Sequence, residues 1–348
     1  MRLYPSLACC AAIAGVLLGS ALPAAAAPVR GLYEASVPVR NQSVEARGPA
    51  LQQALEAVLV RVVGTRMLPA PAYDLLPRAS TLVQGYGYET AGPGRELRLH
   101  AQFDARAIEG ALRTQGLPVW GANRPAHIAW IALRDDGQAR AVLDAASVEA
   151  RAPAVLATAE ARGLPLTLPS MDATDRQRVS FNELWGGAVA GAESASNRYN
   201  ARMVVIGRVG REGGQWLARW TLLLGGGASE DWVSMAATLD QALATGIHDL
   251  ADRQAQRFAV QTGTARELWL RVSGVESLND YGRALNYLRS LNPVRSAQVE
   301  AAEPGALLFR LRVEGDPDTL ARVIAAGRVL RPRDGARVAS SLDYDLVR

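Results

Sequence analysis

An imidazole titrates near neutral pH and serves as a general base or metal ligand, and the chain of 348 residues holds three, His100, His127 and His248. They are far apart and form no H-x-x-x-H pair, so a metal site would have to be gathered from distant parts. His100 falls on the polar side of an alternating stretch, His127 opens an apolar run after Pro125, and His248 precedes Asp249 in a helical pattern. Each is expected as a surface or satisfied core residue. Glu183, beside Asn182 and Trp185, is the one candidate for glycan hydrolysis by carboxylates alone, set against its reading as a polar helix residue. Asp316-x-Asp318 and Asp343-x-Asp345 have the spacing of cation-binding pairs, but the first reads as a helix cap and the second lacks the remaining oxygens of a calcium loop. Gly207, Gly210, Gly213 and Gly214 miss the G-x-G-x-x-G spacing and fall in a strand and a hairpin turn, where no helix N-terminus follows to meet a phosphate.

All 38 basic residues are arginine. Without lysine there is no P-loop lysine, no S-x-x-K pair and no Schiff base, and no G-x-S-x-G elbow occurs. Both cysteines, Cys9 and Cys10, lie within the first ten residues, so the rest of the chain has no thiolate nucleophile, cysteine zinc site or disulfide. The expectation is no catalytic residue, no cofactor and no metal. The net charge of +4 is small for this length, and arginine is interleaved with Asp and Glu, which argues against a nucleic-acid partner. The densest basic stretch, Arg322, Arg328, Arg331, Arg333 and Arg337, reads as a solvated face or as a surface for an anionic envelope. Of the seven tryptophans, Trp216 and Trp220 share a strand face with Ala218 and Leu222, and Trp232 joins them from the next strand. They are expected in a core rather than as a glycan or peptide platform. Trp120 and Trp185 lie in less regular stretches and, with Arg328, Arg331 and Arg333, make the candidate interaction surface.

The elements that must position these residues follow from hydrophobic periodicity. With 49% hydrophobic and 21% charged residues the composition is globular. Arg2, the apolar run from Leu7 to Leu22, Pro23 and Ala24 to Ala27 have the pattern of a secretory signal peptide cut after Ala26. A lipidated Cys9 does not suit the order, because the apolar run follows the cysteines. No later stretch reaches the ~18 apolar residues of a membrane span, so a soluble periplasmic chain is expected. A first unit, 27–116, begins with a strand over Leu32 to Val39. Pro49 marks a first helical turn, with Leu51, Ala54, Leu55, Val58, Leu59 and Val62 on one face up to Gly64. Leu97, Leu99, Ala101 and Phe103 then alternate as a strand, and Asp104 caps a helix that Gly116 ends.

The second unit, 117–263, has a strand over His127 to Leu133, one helix over Val148 to Arg162, a short strand in Pro165 to Pro169 and a helix over Ala188 to Tyr199. A three-stranded meander follows (Met203 to Val209, Trp216 to Leu224, Asp231 to Ala237), covered by a helix that begins at Thr238. The third unit, 264–348, alternates at Leu268, Leu270 and Val272, then places Leu278, Tyr281, Leu285, Leu288 and Leu291 on one helix face. Paired strands over Val294 to Val299 and Leu307 to Val313 follow, then a helix capped at Asp316-Pro317, with a last strand near Ser341 to Val347. The fold class is therefore α+β: three small α/β-sandwich domains, the middle a meander under a long helix and the last ferredoxin-like, β-α-β-β-α.

Leu32-Tyr33-Glu34-Ala35, Val37-Pro38-Val39, Arg47 and the run from Ala54 to Gly64 resemble the opening of the exported proteobacterial domain-of-unknown-function family 2066. Leu268-Trp269-Leu270, Val272-Ser273-Gly274-Val275, Asp280-Tyr281 and Tyr287-Leu288 are similar to later parts of that family. The resemblance implies a Gram-negative periplasmic protein of unassigned function and supplies no catalytic or binding residue. The strand Ala201 to Val209 and the hairpin and helix after it resemble, in architecture alone, accessory domains of envelope-assembly proteins. The expected function is a non-enzymatic envelope binding or assembly module whose partner is another envelope protein. The alternatives are a carboxylate-based cell-wall or polysaccharide hydrolase and a periplasmic binder of a small apolar ligand.

Overall fold

The computed structural model describes residues 29–91, 94–135, 140–225, 227–261, 263, 265–327, 329–338 and 341–347. The expected signal peptide, 1–26, and Arg328 lie outside the described residues. In the first unit come β1 (Glu34–Pro38), α1 (Val44–Val63), α2 (Ala70–Tyr73), α3 (Ala79–Leu82), β2 (Val83–Ala91), β3 (Glu96–Phe103) and α4 (Ala105–Thr114). The strands form an antiparallel sheet ordered β1-β3-β2. Helix α1 buries Leu51, Ala54, Leu55, Val58, Leu59 and Val62, the face expected from their spacing. It starts before Pro49, because the Ser43 side chain accepts the Ala46 N–H and caps it there. Pro49 then sits on the exposed side of the helix interior. Strand β2 was not expected. Its residues are mostly exposed and include Gly85 and Gly87, so it carries no clean alternation.

The second unit runs β4 (His127–Arg134), β5 (Arg140–Leu143), α5 (Ala145–Arg151), α6 (Ala154–Ala161), β6 (Leu166–Thr167), α7 (Ala173–Arg178), α8 (Phe181–Trp185) and α9 (Ala190–Ser196). It closes with β7 (Met203–Glu212), β8 (Gln215–Gly225), β9 (Ala228–Ala236) and α10 (Leu239–Phe258). The sheet order is β5-β4-β7-β8-β9, with β6 pairing β4. Strands β4 and β7 are parallel and β7-β8-β9 is the expected antiparallel meander. Strand β4 is buried on both faces and is accordingly apolar almost throughout. The single helix expected over Val148 to Arg162 is two, since Ala152 before Pro153 leaves the helical region at φ −149° and ψ 58°.

Helix α10 lies over β8 and β9, where Trp216, Trp220 and Trp232 are buried. The Trp220 and Trp232 rings stack with centroids 6.0 Å apart. Trp220 Nε1 donates to Ser234 Oγ at 2.9 Å, and Trp232 Nε1 donates to the Gly246 carbonyl at 3.2 Å. Gly246 is where the helix meets the indole: a Cβ there would lie 2.1 Å from Trp220 Nε1.

The third unit runs β10 (Arg266–Ser273), α11 (Leu278–Ser290), β11 (Val294–Glu303), β12 (Ala306–Val313), α12 (Pro317–Ala326), β13 (Leu330–Val338) and β14 (Ser341–Leu346). The order β11-β12-β10-β14-β13, with β12 antiparallel to both neighbours, contains the expected split β-α-β arrangement. Its end departs from a single last strand. The chain leaves α12 into the edge strand β13, which tolerates Pro332, and turns back so that β14 lies parallel to β10. On α11, Leu285 and Leu288 are buried as expected, as is Leu291 at its C-terminal cap, but Leu278 is 89% exposed and Tyr281 faces outward, with Ala284 taking the inward place. Among the described residues no helix is long and apolar enough to cross a membrane.

The units are joined around Arg124, whose side chain is buried. Its Nε donates to the Gly121 carbonyl at 2.9 Å, Nη1 to Arg162 and Gly163 at 2.8 and 2.9 Å, and Nη2 to Arg61 and Trp120 at 2.7 Å each. The guanidinium also lies 3.6 Å from the centre of the Trp120 ring. Arg162, likewise buried, reaches the Gly64 carbonyl at 2.7 Å and Asp252 on α10 at 2.6 Å. The second and third units share one continuous apolar core.

Two outcomes are expected. Gly246→Ala, which would stabilise an exposed helix by about 1 kcal/mol, should instead destabilise by about 1–3 kcal/mol through overpacking against Trp220; a stabilised variant in urea denaturation would refute the contact. Arg124→Ala should cost about 3 kcal/mol or more by leaving buried carbonyls without donors. Arg124→Lys should recover little of that loss, because an ammonium cannot reproduce the planar fork of five N–H donors.

Candidate functional site

The residues that could have carried chemistry are held by local structure. Glu183 closes a capping box at the start of α8: its Oε2 accepts the Ser180 N–H at 3.1 Å while Ser180 Oγ accepts the Glu183 N–H at 3.3 Å. Asp316 caps α12 by accepting the Thr319 N–H at 2.6 Å. Asp345 lies 3.8 Å from Arg333. His100 is on the exposed side of β3, 3.8 Å from Glu34. His248 on α10 is half-buried, and burial, then Arg162 and Arg66, lower its proton affinity against the opposing pull of Asp252. His127 is fully buried, with Nδ1 3.3 Å from the Pro165 carbonyl. Burial pushes its pKa down to about 4, outweighing the Gln254 side chain and the Pro165 and Pro125 carbonyls.

Asp175, which periodicity does not single out, is a fully buried carboxylate. It takes Arg198 at 2.9 Å and the Met171 N–H at 3.0 Å, and the Tyr199 hydroxyl also donates to it. Arg198 also pairs with Asp172 at 2.7 Å and holds that carboxyl well below the usual range. This network ties α7 to the turn after α9. Among the described residues no group of three or more His, Cys, Asp or Glu is placed to hold a metal.

The residues of the expected interaction surface are not gathered into one patch. Trp120 is wholly buried against Arg124, because its indole fills the junction between the first two units. Trp185 is partly buried, stacked on Phe181 with centroids 5.3 Å apart and with the Arg134 guanidinium 4.5 Å above it. Arg331 and Arg333 are exposed on β13, at the edge of the third sheet.

A concave site lies instead between the second and third units, in a cleft of about 380 Å³ walled by α9, the start of β7, the end of β8, α10 and α12. Arg202, Arg257 and Arg322 line it, with Phe258, Met203 and Leu224 among the apolar residues and Glu193 the acidic one. Arg202 enters through the turn in which its N–H and that of Met203 both donate to the Ala126 carbonyl. Arg257 sits in the last turn of α10 beside buried Phe258, and Glu230 accepts from it at 3.1 Å. Arg322 lies on the exposed side of α12, opposite buried Leu320 and Ile324. It donates to the Arg257 carbonyl at 3.3 Å and to Thr319 Oγ1 at 2.7 Å, which in turn donates to Asp316 at 2.8 Å, so the nearest carboxylate is reached through the threonine rather than by a direct bond.

A second hollow of about 280 Å³ shares Glu193 and Leu223 with the cleft and continues along α9 over the outer face of the meander. Strand register sets Thr221 opposite Asp231, and Arg208 one step along the same face. Arg208 Nη2 donates to Thr221 Oγ1 at 3.0 Å, which donates to Asp231 at 2.6 Å. Arg208 Nε is buried without a hydrogen-bond partner. Of all these residues only Arg322, within the basic stretch, is marked in the sequence as a candidate for binding. The others are spread over α9, α10 and the strands β7, β8 and β9 and the turn before β7, with no local motif to join them.

Residues 26–121 match a family described as a domain of unknown function (DUF8605). That is not family 2066, to which the opening residues and the later Leu268 to Leu288 segments pointed. An alternating strand and an amphipathic helix stopped by glycine recur in unrelated α+β chains for the same packing reasons, so those residues carry the fold without identifying the family. No curated protein and no solved structure matches the chain.

His127, buried at the start of β4, gives the fold a defined acid response. Its folded pKa of about 4 lies below the ordinary 6.5, so between those values the unfolded chain binds the extra proton and stability falls as pH is lowered. The contribution is complete above pH ~6.5 and at pH 5 should have lost about 2 kcal/mol. His127→Gln should flatten this limb in urea denaturation between pH 4.5 and 7, and an unchanged limb would place the acid response elsewhere.

Proposed function

We propose that the protein is an exported, non-enzymatic binding module that holds a segment of another envelope protein in the cleft between its second and third units. One observation carries the reading: the cleft gathers three guanidinium groups from α10, α12 and the turn before β7, elements of both units, on a shared core. Charged groups held this way discriminate partners and steer their approach. The leader pattern of Arg2, Leu7 to Leu22 and Ala24 to Ala27 supports export, as does the confinement of cysteine to Cys9 and Cys10. The hydrolase reading loses its only acid, since Glu183 caps α8. A small apolar ligand suits the cleft less well, because Glu193, Arg202, Arg257 and Arg322 break up its apolar lining.

The test places a photo-crosslinking residue at Asn197, which is exposed and lines the cleft, and a control at exposed Glu96 on β3. The full chain is expressed in its host, with export followed by protease access in spheroplasts. One abundant protein adduct at Asn197, absent at Glu96 and lost in Arg322→Glu, is expected. Equal labelling at both positions, or no adduct from abundant exported protein, would sink the proposal.

A further inference from the structure

We infer that the segment held in this cleft is an extended acidic peptide, with side-chain carboxylates on Arg322, Arg257 and Arg202 and its backbone reaching Arg208. The inference rests on the reading above that the cleft is the binding site and adds the chemistry of its occupant. Arg202, Arg257 and Arg322 line the cleft with one acid, Glu193. Glu230 is shared between Arg253 and Arg257, Asp316 lies beside Arg322, and Arg202 donates to the Gly327 carbonyl. Four arginines thus face three carboxylates on this wall, and the remaining positive charge favours an anionic group. A guanidinium fork matches a carboxylate with two parallel hydrogen bonds. Arg322 suits this best, since its present acceptors are a carbonyl and a hydroxyl.

The wall composition separates a peptide from a lipid. An acyl chain needs a continuous apolar lining, because each buried polar group it faces loses water without gaining a partner. Here Phe258, Met203 and Leu224 are interspersed with the arginines, and beyond Leu223 the second hollow sets Leu184, Val189 and Ile206 against Arg208, Thr221 and Asp231. A peptide alternates polar and apolar groups at about the same spacing and brings its own carbonyls. Arg208 Nη2 gives one N–H to Thr221 Oγ1, and Nη1, on the Gly187 side of the same hollow, is the donor that such a carbonyl would take. The two hollows share Glu193 and Leu223 as lining residues, so they are neighbours, and an extended chain can occupy both where a compact ligand would fill one.

The probe is a fluorescein-labelled octapeptide alternating leucine and glutamate, read by anisotropy on the purified full-length protein. A leucine–glutamine octapeptide and oleate are the comparisons. The glutamate peptide should bind at least about tenfold more tightly than the glutamine peptide, and Arg322→Gln should remove that preference. Its affinity should fall as salt rises from about 0.05 to about 0.5 M, whereas Arg208→Gln should weaken both peptides by similar factors. Unchanged denaturation midpoints will show that both variants are folded. No preference for glutamate, or an affinity untouched by Arg322→Gln, overturns the inference. Binding of oleate that depends on Arg322, without binding of the glutamate peptide, overturns it in favour of a lipid. An Asn197 adduct together with no glutamate preference would leave the cleft as the site and remove only its acidic occupant, whereas failure of the adduct removes the site itself.

Discussion

A guanidinium cannot shed its charge inside a protein, so a buried arginine must find an acceptor for every N–H or destabilise the fold. Arg124 meets this demand with five backbone carbonyls drawn from three segments: the end of α1, the Trp120–Gly121 connection, and the turn after α6. None of these carbonyls belongs to a side chain that could swing away, so the segments must arrive together. The Trp120 ring packed against the guanidinium, and Arg162, bonded to Gly64 and Asp252, extend the same junction to α10. Burial and the neighbouring charge of Arg61 lower the proton affinity of Arg124, and the Tyr33 hydroxyl opposes them only in part. The compensation is therefore dipolar, from carbonyls held by backbone geometry.

Helix α10 transmits this constraint to the rest of the molecule. One face lies on the stacked Trp220 and Trp232, and the close approach there depends on Gly246. Its N-terminal turn supplies Asp240, which accepts the Ala154 N–H at 2.9 Å and caps α6. Asp249 and Asp252 hold Arg66 and Arg162 from the junction, and the last turn delivers Arg257 to the cleft. A single helix thus packs the sheet, clamps the first unit and forms one wall of the proposed binding site. Changes in any of these roles are expected to be felt in the others, because packed cores transmit displacement rather than absorb it.

Elements with a strong period were legible residue by residue. The buried stripe of α1, the alternation of β3, the meander and its covering helix, and the Asp316-Pro317 start of α12 all follow from apolar spacing and capping chemistry. The departures have local causes. Pro153 splits one helix into two, Gly85 and Gly87 hide β2, and Ala284 displaces Leu278 and Tyr281 from the buried face of α11. The β13–β14 hairpin, with a parallel strand beside β10, depends on long-range pairing that no window of sequence contains.

The same distinction separates the chemistry that was excluded from the site that was found. Residue types alone ruled out lysine chemistry, and thiolate chemistry outside Cys9 and Cys10, and short-range spacing assigned Asp316 to a helix start, because that interaction closes within a few residues; the capping box that holds Glu183 was found only in the structure. The burial of Trp120, the five-carbonyl cage of Arg124 and the meeting of Arg202, Arg257 and Arg322 were decided only by tertiary structure. An arginine reads the same in sequence whether solvent, a carbonyl cage or an open cleft surrounds it. Which of these it meets is set by the packing of elements far apart in the chain, and that packing has no local signature.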